Sequence, residues 1–520
     1  MRRFRARRPA AILGTITMIA AGLVGVSSAP AQASTIEGPI SRSEILSRAQ
    51  NWVDRDLTYT QTGSWATDVD GDKTYRRDCS GLVSMAWHLN TSYVTDDFMD
   101  GNSRWDTLGS IDSFQAGDAM VRTGHIELFS HWADRGDHSK GAYVYSFNDD
   151  GQTVQNPYKD NNVGRRGFNS ASDLRTYKPI RRTGLIAGAT PRKAPALGHD
   201  DGDGTMTIHR WNSTGSAFDH TTDYKGEGSF SLSNVGDRMA SGDVDGDGTD
   251  DVVMAYDLGN GTFGFYVFDA GLTSRGRWYT SGPYSLGPVA GRLVVADFTG
   301  DGKAEPALVH DDGDGTTTIH RWTSNGTSFN RTTDYVGTGS FDLANVGDRV
   351  AAGDVTGDGK ADIVMAYDLG DGTFGYYVFN QGLTSLGRWY TSGPYSLGPV
   401  AGRLVVADFT GDGKAEPALA HDDGDGTTTI HRWTSNGTSF NRTTDYIGTG
   451  SFNLANVGDR VAAGDVTGDG KADIVMAYDL GDGTFGYYTF NQGLTSLGRW
   501  YTSGPYNLGP VNGRLVLGNW

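Results

Sequence analysis

Between Gly291 and Val336, short runs of β-branched and apolar residues alternate with turns rich in glycine and acid. The runs are GRLVVAD (Gly291 to Asp297), EPALVH (Glu305 to His310), TTTIHRW (Thr316 to Trp322) and RTTDYV (Arg331 to Val336). Alternation with period two places successive side chains on opposite faces, so each run reads as a strand. The Asp-Gly pair ahead of TTTIHRW suits a tight hairpin. The pattern then recurs along the chain. The string HDDGDG begins at His199, His310 and His421, a period of 111 residues, and each period holds two similar halves. Four short strands repeated in this way are the signature of propeller blades.

Counting copies sharpens the picture. The EPALVH-like strand occurs at Pro195, Asp251, Pro306, Asp362, Pro417 and Asp473, whereas the sixth GRLVVAD-like strand is Gly513 to Asn519, at the very end of the chain. Ahead of Pro195, the segment Ile186 to Ala194 lacks both the strand pattern and the acids. The expectation is an all-β propeller of six blades whose first blade is completed by the C-terminal strand, which removes the exposed edges of an open array.

The segment from Ser34 to Arg182 shares none of this repeat. Ser41 and Glu44 form a capping box, and Ile45, Leu46, Ala49, Trp52 and Val53 then share one helical face. A second helix is expected from Ser80 to about Leu89, with strands at His125 to Trp132 and Ala142 to Phe147. Before this α+β domain stand Arg2, Arg3, Arg5, Arg7 and Arg8, an apolar run from Ala10 to about Val26, and Ala31-Gln32-Ala33. That order is the pattern of a secretory leader cleaved near Ala33, which implies an extracellular protein. The chain thus divides into a leader (1–33), an α+β domain (34–182) and a propeller (183–520), with the boundary in a Gly, Ala and Pro stretch. No other segment approaches the ~20 apolar residues of a spanning helix.

Five arginines and no acids precede Ser34, so loss of the leader takes the formal charge from −18 to −23. So acidic a chain disfavours nucleic acid or an anionic membrane as partner. The single cysteine excludes an intrachain disulfide, and a lone thiol in an exported protein invites a catalytic explanation.

Much of the acid falls in five strings of the form D-x-[DT]-G-D-G-x-x-[DE]. Their candidate ligands are Asp243, Asp245, Asp247 and Asp251; Asp297, Thr299, Asp301 and Glu305; Asp354, Thr356, Asp358 and Asp362; Asp408, Thr410, Asp412 and Glu416; and Asp465, Thr467, Asp469 and Asp473. Oxygen donors at positions 1, 3, 5 and 9 can wrap a hard cation, and calcium is the expected ion. The HDDGDG and YDLGDG strings lack the closing acid and read as hairpin turns, and DVDGDK (Asp68 to Lys73) reads as a solvated loop. The five strings resemble the FG-GAP repeats of integrin-type propellers. In that family the loop links the first and second strands of a blade, which implies that the composite blade, interrupted by the chain termini, lacks one.

Cys79 lies in RRDCSGLVSMAWHL at the expected start of a helix, where the macrodipole favours an anion and backbone N–H groups face a developing oxyanion. His125, in GDAMVRTGHIELF, begins a strand and is a candidate general base. The order DCSG, GD and GH resembles the NlpC-type cysteine peptidases, papain-like cell-wall hydrolases. The resemblance implies attack by Cys79 on a peptide or amide carbonyl, with His125 moving the proton. For the third residue, which orients the histidine, YVYSFN offers Ser146 or Asn148, of which Asn148 is the choice, and Glu127, two residues from His125 on the same strand face, is the rival. Asp78 caps the helix in this reading.

Two functions follow: an exported hydrolase of peptidoglycan with a targeting propeller, or a glycan-binding, lectin-like or adhesion protein whose papain-like domain is inactive. The second rests on Trp211, Trp322 and Trp433 after Ile-His-Arg and on Trp278, Trp389 and Trp500 after Gly-Arg, since recurring aromatics can stack on sugars. The competing use of these tryptophans is packing between blades.

Overall fold

The computed structural model describes residues 34–133, 138–157, 166–186, 192–226, 230–283, 291–332, 334–337, 341–394, 402–443, 445–448, 452–505 and 513–520. The expected leader lies outside them. No helix among the described residues is long and apolar enough to cross a membrane.

In the N-terminal region, helix α1 (Arg42–Asp54) starts where Ser41 accepts a hydrogen bond from the Glu44 backbone at 3.0 Å. Helix α2 (Cys79–Ala86) is buried along its whole length. One antiparallel sheet is built from β1 (Trp105–Thr107), β2 (Ala119–Arg122), β3 (His125–Trp132), β4 (Ala142–Tyr145), β5 (Phe168–Asn169) and β6 (Lys178–Arg182), in the spatial order β1-β6-β2-β3-β4-β5. Helix α2 packs against α1 and β3 over a core that includes Trp52, Leu82, Trp87, Phe98 and Leu128.

The DVDGDK loop is not simply solvated. Asp68 is buried and accepts from Arg48 Nη2 at 3.0 Å and from the Gly71 backbone at 2.9 Å, while Arg48 Nη1 reaches Asp70 at 2.5 Å. The loop is pinned to α1 by a guanidinium that is itself 1% exposed. Removing one partner of a buried pair leaves the other charge uncompensated. Arg48→Met is therefore expected to destabilise this domain by about 3–5 kcal/mol in chemical denaturation.

The repeats fold into six sheets. Blade 1 is composite: Gly513–Gly518 pairs antiparallel with Ala194–Asp200 from Ala194↔Gly518 to His199↔Gly513, followed outward by Met206–Ser213 and then Phe218–His220 and Tyr224–Lys225. Blade 2 runs Met239–Gly242, Asp251–Asp257, Phe263–Asp269 and Thr273–Thr280. Blades 3 and 5 repeat the pattern of blade 1, starting at Gly291 and Gly402. Blades 4 and 6 repeat that of blade 2, starting at Val350 and Val461. The expected strand Arg331 to Val336 is broken into Phe329–Arg331 and Tyr335–Val336, because Asp334 turns back to pair with Arg331 and His320.

Closure is visible in one repeated bond. The backbone N–H just before the second strand of each blade donates to the carbonyl of the residue just after the first strand of the preceding blade. The six are Lys193 to Asp465, Asp250 to Asn519, Ala304 to Asp243, Ala361 to Asp297, Ala415 to Asp354 and Ala472 to Asp408, at 2.6–3.2 Å. Asn519 thus fills, in the composite blade, the place of the first loop aspartate elsewhere. Around the axis, Arg292 pairs with Asp348, Arg403 with Asp459 and Arg514 with Asp237 at 2.9–3.2 Å. The hydrophobic clusters lie between neighbouring blades, and Trp211, Trp322 and Trp433 sit within them at 1–2% exposure. Those three indoles fill inter-blade space.

Candidate functional site

Cys79 is the first residue of α2. Asp78 caps the helix by accepting from the Gly81 N–H at 2.7 Å, and Arg76 Nε holds Asp78 at 2.8 Å. The glycine of DCSG has a steric reason: a Cβ at Gly81 would lie 1.9 Å from the Arg76 carbonyl oxygen. With Gly81 bonded to the cap, the N–H groups of Cys79 and Ser80 are the ones a helix start leaves without an intrahelical acceptor.

His125 opens β3 directly after the turn through Gly124, whose φ is 80°. Its Nε2 lies 3.1 Å from Glu127 Oε1. Burial lowers the basicity of His125, but hydrogen bonds with Cys79 and Glu127 and the charge of both outweigh it, and its pKa is pushed up to about 9. Glu127 is 5% exposed. Burial opposes its ionisation, yet His125, Ser146 and Asn169 together hold its carboxyl below the usual value.

The structure therefore brings Cys79, His125 and Glu127 together and places Asn148 on the far side of Ser146. Ser146 Oγ lies 2.6 Å from Glu127 Oε1 and 2.6 Å from Asn148 Oδ1, so Asn148 stands two hydrogen bonds beyond Glu127 from the imidazole. The reason is local: β4 ends at Tyr145, and Asn148 falls beyond it, whereas strand alternation carries Glu127 onto the His125 face. Asn169, from β5, donates to Glu127 Oε2, and Tyr177, with Arg122 stacked 4.4 Å above its ring, closes the same side. Neither bears a motif in the sequence.

In the propeller, all five acidic strings link the first and second strands of their blades. The first aspartate organises each loop. Asp297 accepts from Gly300 at 2.6 Å and Gly302 at 2.9 Å, and Asp243, Asp354, Asp408 and Asp465 do the same in theirs. Both glycines have positive φ, 78° and 86° in the Asp297 loop, which an L side chain rarely adopts. Ligand oxygens of Asp243, Asp245 and Asp251 lie within 4.8 Å of one another, as do those of Asp297, Asp301 and Glu305. Thr299 and Thr410 donate to Glu305 and Glu416 at 2.8 and 2.9 Å, whereas Thr356 and Thr467 lie 3.3 and 3.4 Å from Asp354 and Asp465. Asp247 instead accepts from Thr249, and Asp301, Asp358, Asp412 and Asp469 each accept from the backbone of the following lysine.

The closing acids are fully buried. Desolvation, joined by neighbouring loop carboxylates, pushes Asp243 up to about 7, Asp251 and Glu305 to about 8 and Glu416 to about 7. Asp362 and Asp473 rise to about 6, again mainly through burial. Hard oxygen donors crowded until their charge becomes costly suit a divalent cation of the calcium type. The HDDGDG turns close on themselves, with Asp203, Asp314 and Asp425 accepting from the threonine two residues on.

Small cavities of about 70 Å³ recur between blades. One is lined by Phe374, Tyr390, Ser392, His431, Trp433 and Arg442, and another by the equivalent residues 111 positions earlier.

Residues 354–419 and 408–476 match the family described as FG-GAP-like repeat. Each match begins on the first aspartate of a loop. No curated protein matches the chain. Among solved structures, AofleA from Arthrobotrys oligospora aligns at 9% identity over 62% of this chain and 89% of its own, with a TM-score of 0.36. The Aleuria aurantia lectin, described as a six-bladed β-propeller with a novel fucose recognition mode, aligns at 11% identity over 61% of this chain and 96% of its own, with a TM-score of 0.34. A Bacillus licheniformis rhamnogalacturonan lyase aligns at 14% identity over 59% of this chain and 60% of its own, with a TM-score of 0.29. The six-blade architecture rests on this chain's own strand pairing.

Proposed function

We propose that the N-terminal domain is a cysteine hydrolase of peptide or amide bonds, exported, acting on cell-wall peptidoglycan, and carried by a calcium-stabilised propeller that positions it on its substrate. The observation that carries this reading is the placement of His125 between Cys79 and Glu127. The Cys79 sulfur attacks the carbonyl carbon, and the N–H groups at the start of α2 receive the developing oxyanion. His125 delivers a proton to the leaving nitrogen as the C–N bond breaks, then accepts one from the water that releases the acyl group. Glu127 fixes the imidazole and stabilises its charged form. Peptidoglycan as the substrate class rests on the likeness of DCSG and GD with GH to the NlpC type.

The test is release of new amino groups from purified peptidoglycan by residues 34–520. Cys79→Ala and His125→Ala should release none. Glu127→Gln should cost on the order of 10²-fold or more, while Asn148→Ala should cost less than about tenfold. Undiminished release by Cys79→Ala would sink the proposal.

A second reading, glycan binding by the propeller, is favoured by the recurrent inter-blade cavities lined by aromatic rings, an arginine and a histidine. A glycan array probed with residues 183–520 decides it. Uniformly absent signal would leave the cavities as packing features.

A further inference from the structure

Blade 1 departs from blades 3 and 5 at one chemically pointed position. In blade 3, Arg331 Nη2 lies 2.9 Å from His320 Nδ1 and 2.6 Å from Asp334 Oδ2. In blade 5, Arg442 holds the same relation to His431 and Asp445, at 3.1 and 2.6 Å. Both blades thus place a cation between an imidazole nitrogen and a carboxylate.

Blade 1 keeps the histidine and the aspartate as His209 and Asp223, but His220 stands where the others carry arginine. His220 Nε2 lies 2.9 Å from Asp223 Oδ1, and His209 Nδ1 lies 3.1 Å from the same oxygen. The three ligand atoms fall within 4.8 Å of one another. The exchange deletes a fixed positive charge and supplies a second imidazole lone pair at the place that charge occupies elsewhere.

We propose that His209, His220 and Asp223 bind one borderline divalent transition-metal ion, with Zn²⁺ as its probe, in place of the sister blades' guanidinium. Two imidazoles and a carboxylate at this spacing match the donor set of zinc, with bonds of about 2.0–2.2 Å and a coordination position left open. Calcium, which takes six to eight oxygens, is poorly served by them, so this site is distinct in kind from the five acidic loops. His209 lies on Met206–Ser213, His220 ends Phe218–His220, and Asp223 sits in the bulge before Tyr224–Lys225, so the ion ties three segments of the composite blade's outer edge. Trp211, whose ring centroid lies 5.2 Å from that of His220, belongs to the aromatic packing between blades 6 and 1.

The test is calorimetric titration of residues 34–520 with Zn²⁺ under saturating Ca²⁺, with Cys79→Ser in every arm so that the thiol takes no zinc. The parent should bind one equivalent. His220→Arg should bind none while melting, without zinc, at the parent's temperature, since it restores the residue that two blades already accommodate. Arg331→His should gain a second equivalent at His320 and Asp334. Any other pattern of uptake overturns the assignment.

Discussion

A chain ending before Gly513 is expected to lose the folded propeller rather than to be merely weakened, even in excess calcium. The deleted strand pairs with Ala194–Asp200 along six residues and is the innermost strand of blade 1. It contributes Leu515 and Leu517 to the core shared with blade 6 and Val516 to the core shared with blade 2, all less than 10% exposed. Burial of three such side chains is worth about 5–9 kcal/mol at about 1.5–3 each, against a typical total stability of about 5–15. Beyond the strand, Asn519 accepts from the Asp250 backbone and donates to its carboxylate, and Trp520 Nε1 donates to the Ala194 carbonyl at 2.9 Å. Both contacts go with the deletion, and an unpaired strand edge is left to template association. Size-exclusion chromatography and circular dichroism of the truncated chain should show aggregated or unfolded protein. A monodisperse product melting with the parent would overturn closure by the C-terminal strand.

Ring closure was legible because it depends on counting: six copies of one strand against five of its partner, with the sixth at the far terminus, leave few other solutions. The acidic loops were legible for the same reason, since five copies in register separate a motif from an accident. What escaped the sequence was decided by contacts between distant segments. Asp68 reads as a loop acid until Arg48 arrives from α1. Asn169 and Tyr177 border the cysteine site from strands and turns with no signature of their own. The broken outer strand follows in blade 3 from Asp334 pairing with His320, and in blade 5 from Asp445 pairing with His431, a cross-strand event that alternation does not encode. Glu127 differs from these, because period two already put it on the His125 face. Asn148 lies past the end of β4 and meets Glu127 only through Ser146.

Calcium removal should have the largest effect at mildly alkaline pH, and the sign follows from the loop carboxylates. Metal-free, Asp243, Asp251, Glu305 and Glu416 ionise only around pH 7 to 8, and Asp362 and Asp473 around 6, against roughly 4 in an unfolded chain. A carboxyl whose folded pKa is raised contributes stability below its unfolded pKa and loses it as pH climbs through the folded value. Each tenfold change in proton affinity is worth about 1.4 kcal/mol, so metal-free loops should lose several kcal/mol between about pH 5 and 8. A bound cation replaces those protons, and each site adds about 2.7 kcal/mol when calcium stands a hundredfold above its dissociation constant. Melting curves with calcium should therefore vary little across this range. With EDTA the melting temperature should fall steadily, ending roughly 10 °C or more below the calcium form at pH 8 and much closer to it at pH 5. Within one blade, Asp354→Ala should reproduce part of that loss, because the Asp354 carboxylate holds the backbone of Gly357 and Gly359. Coincident melting curves with and without EDTA at pH 8 would refute the metal assignment. A gap that widened toward acid would show that the cost of buried carboxylate charge is not what the ion relieves.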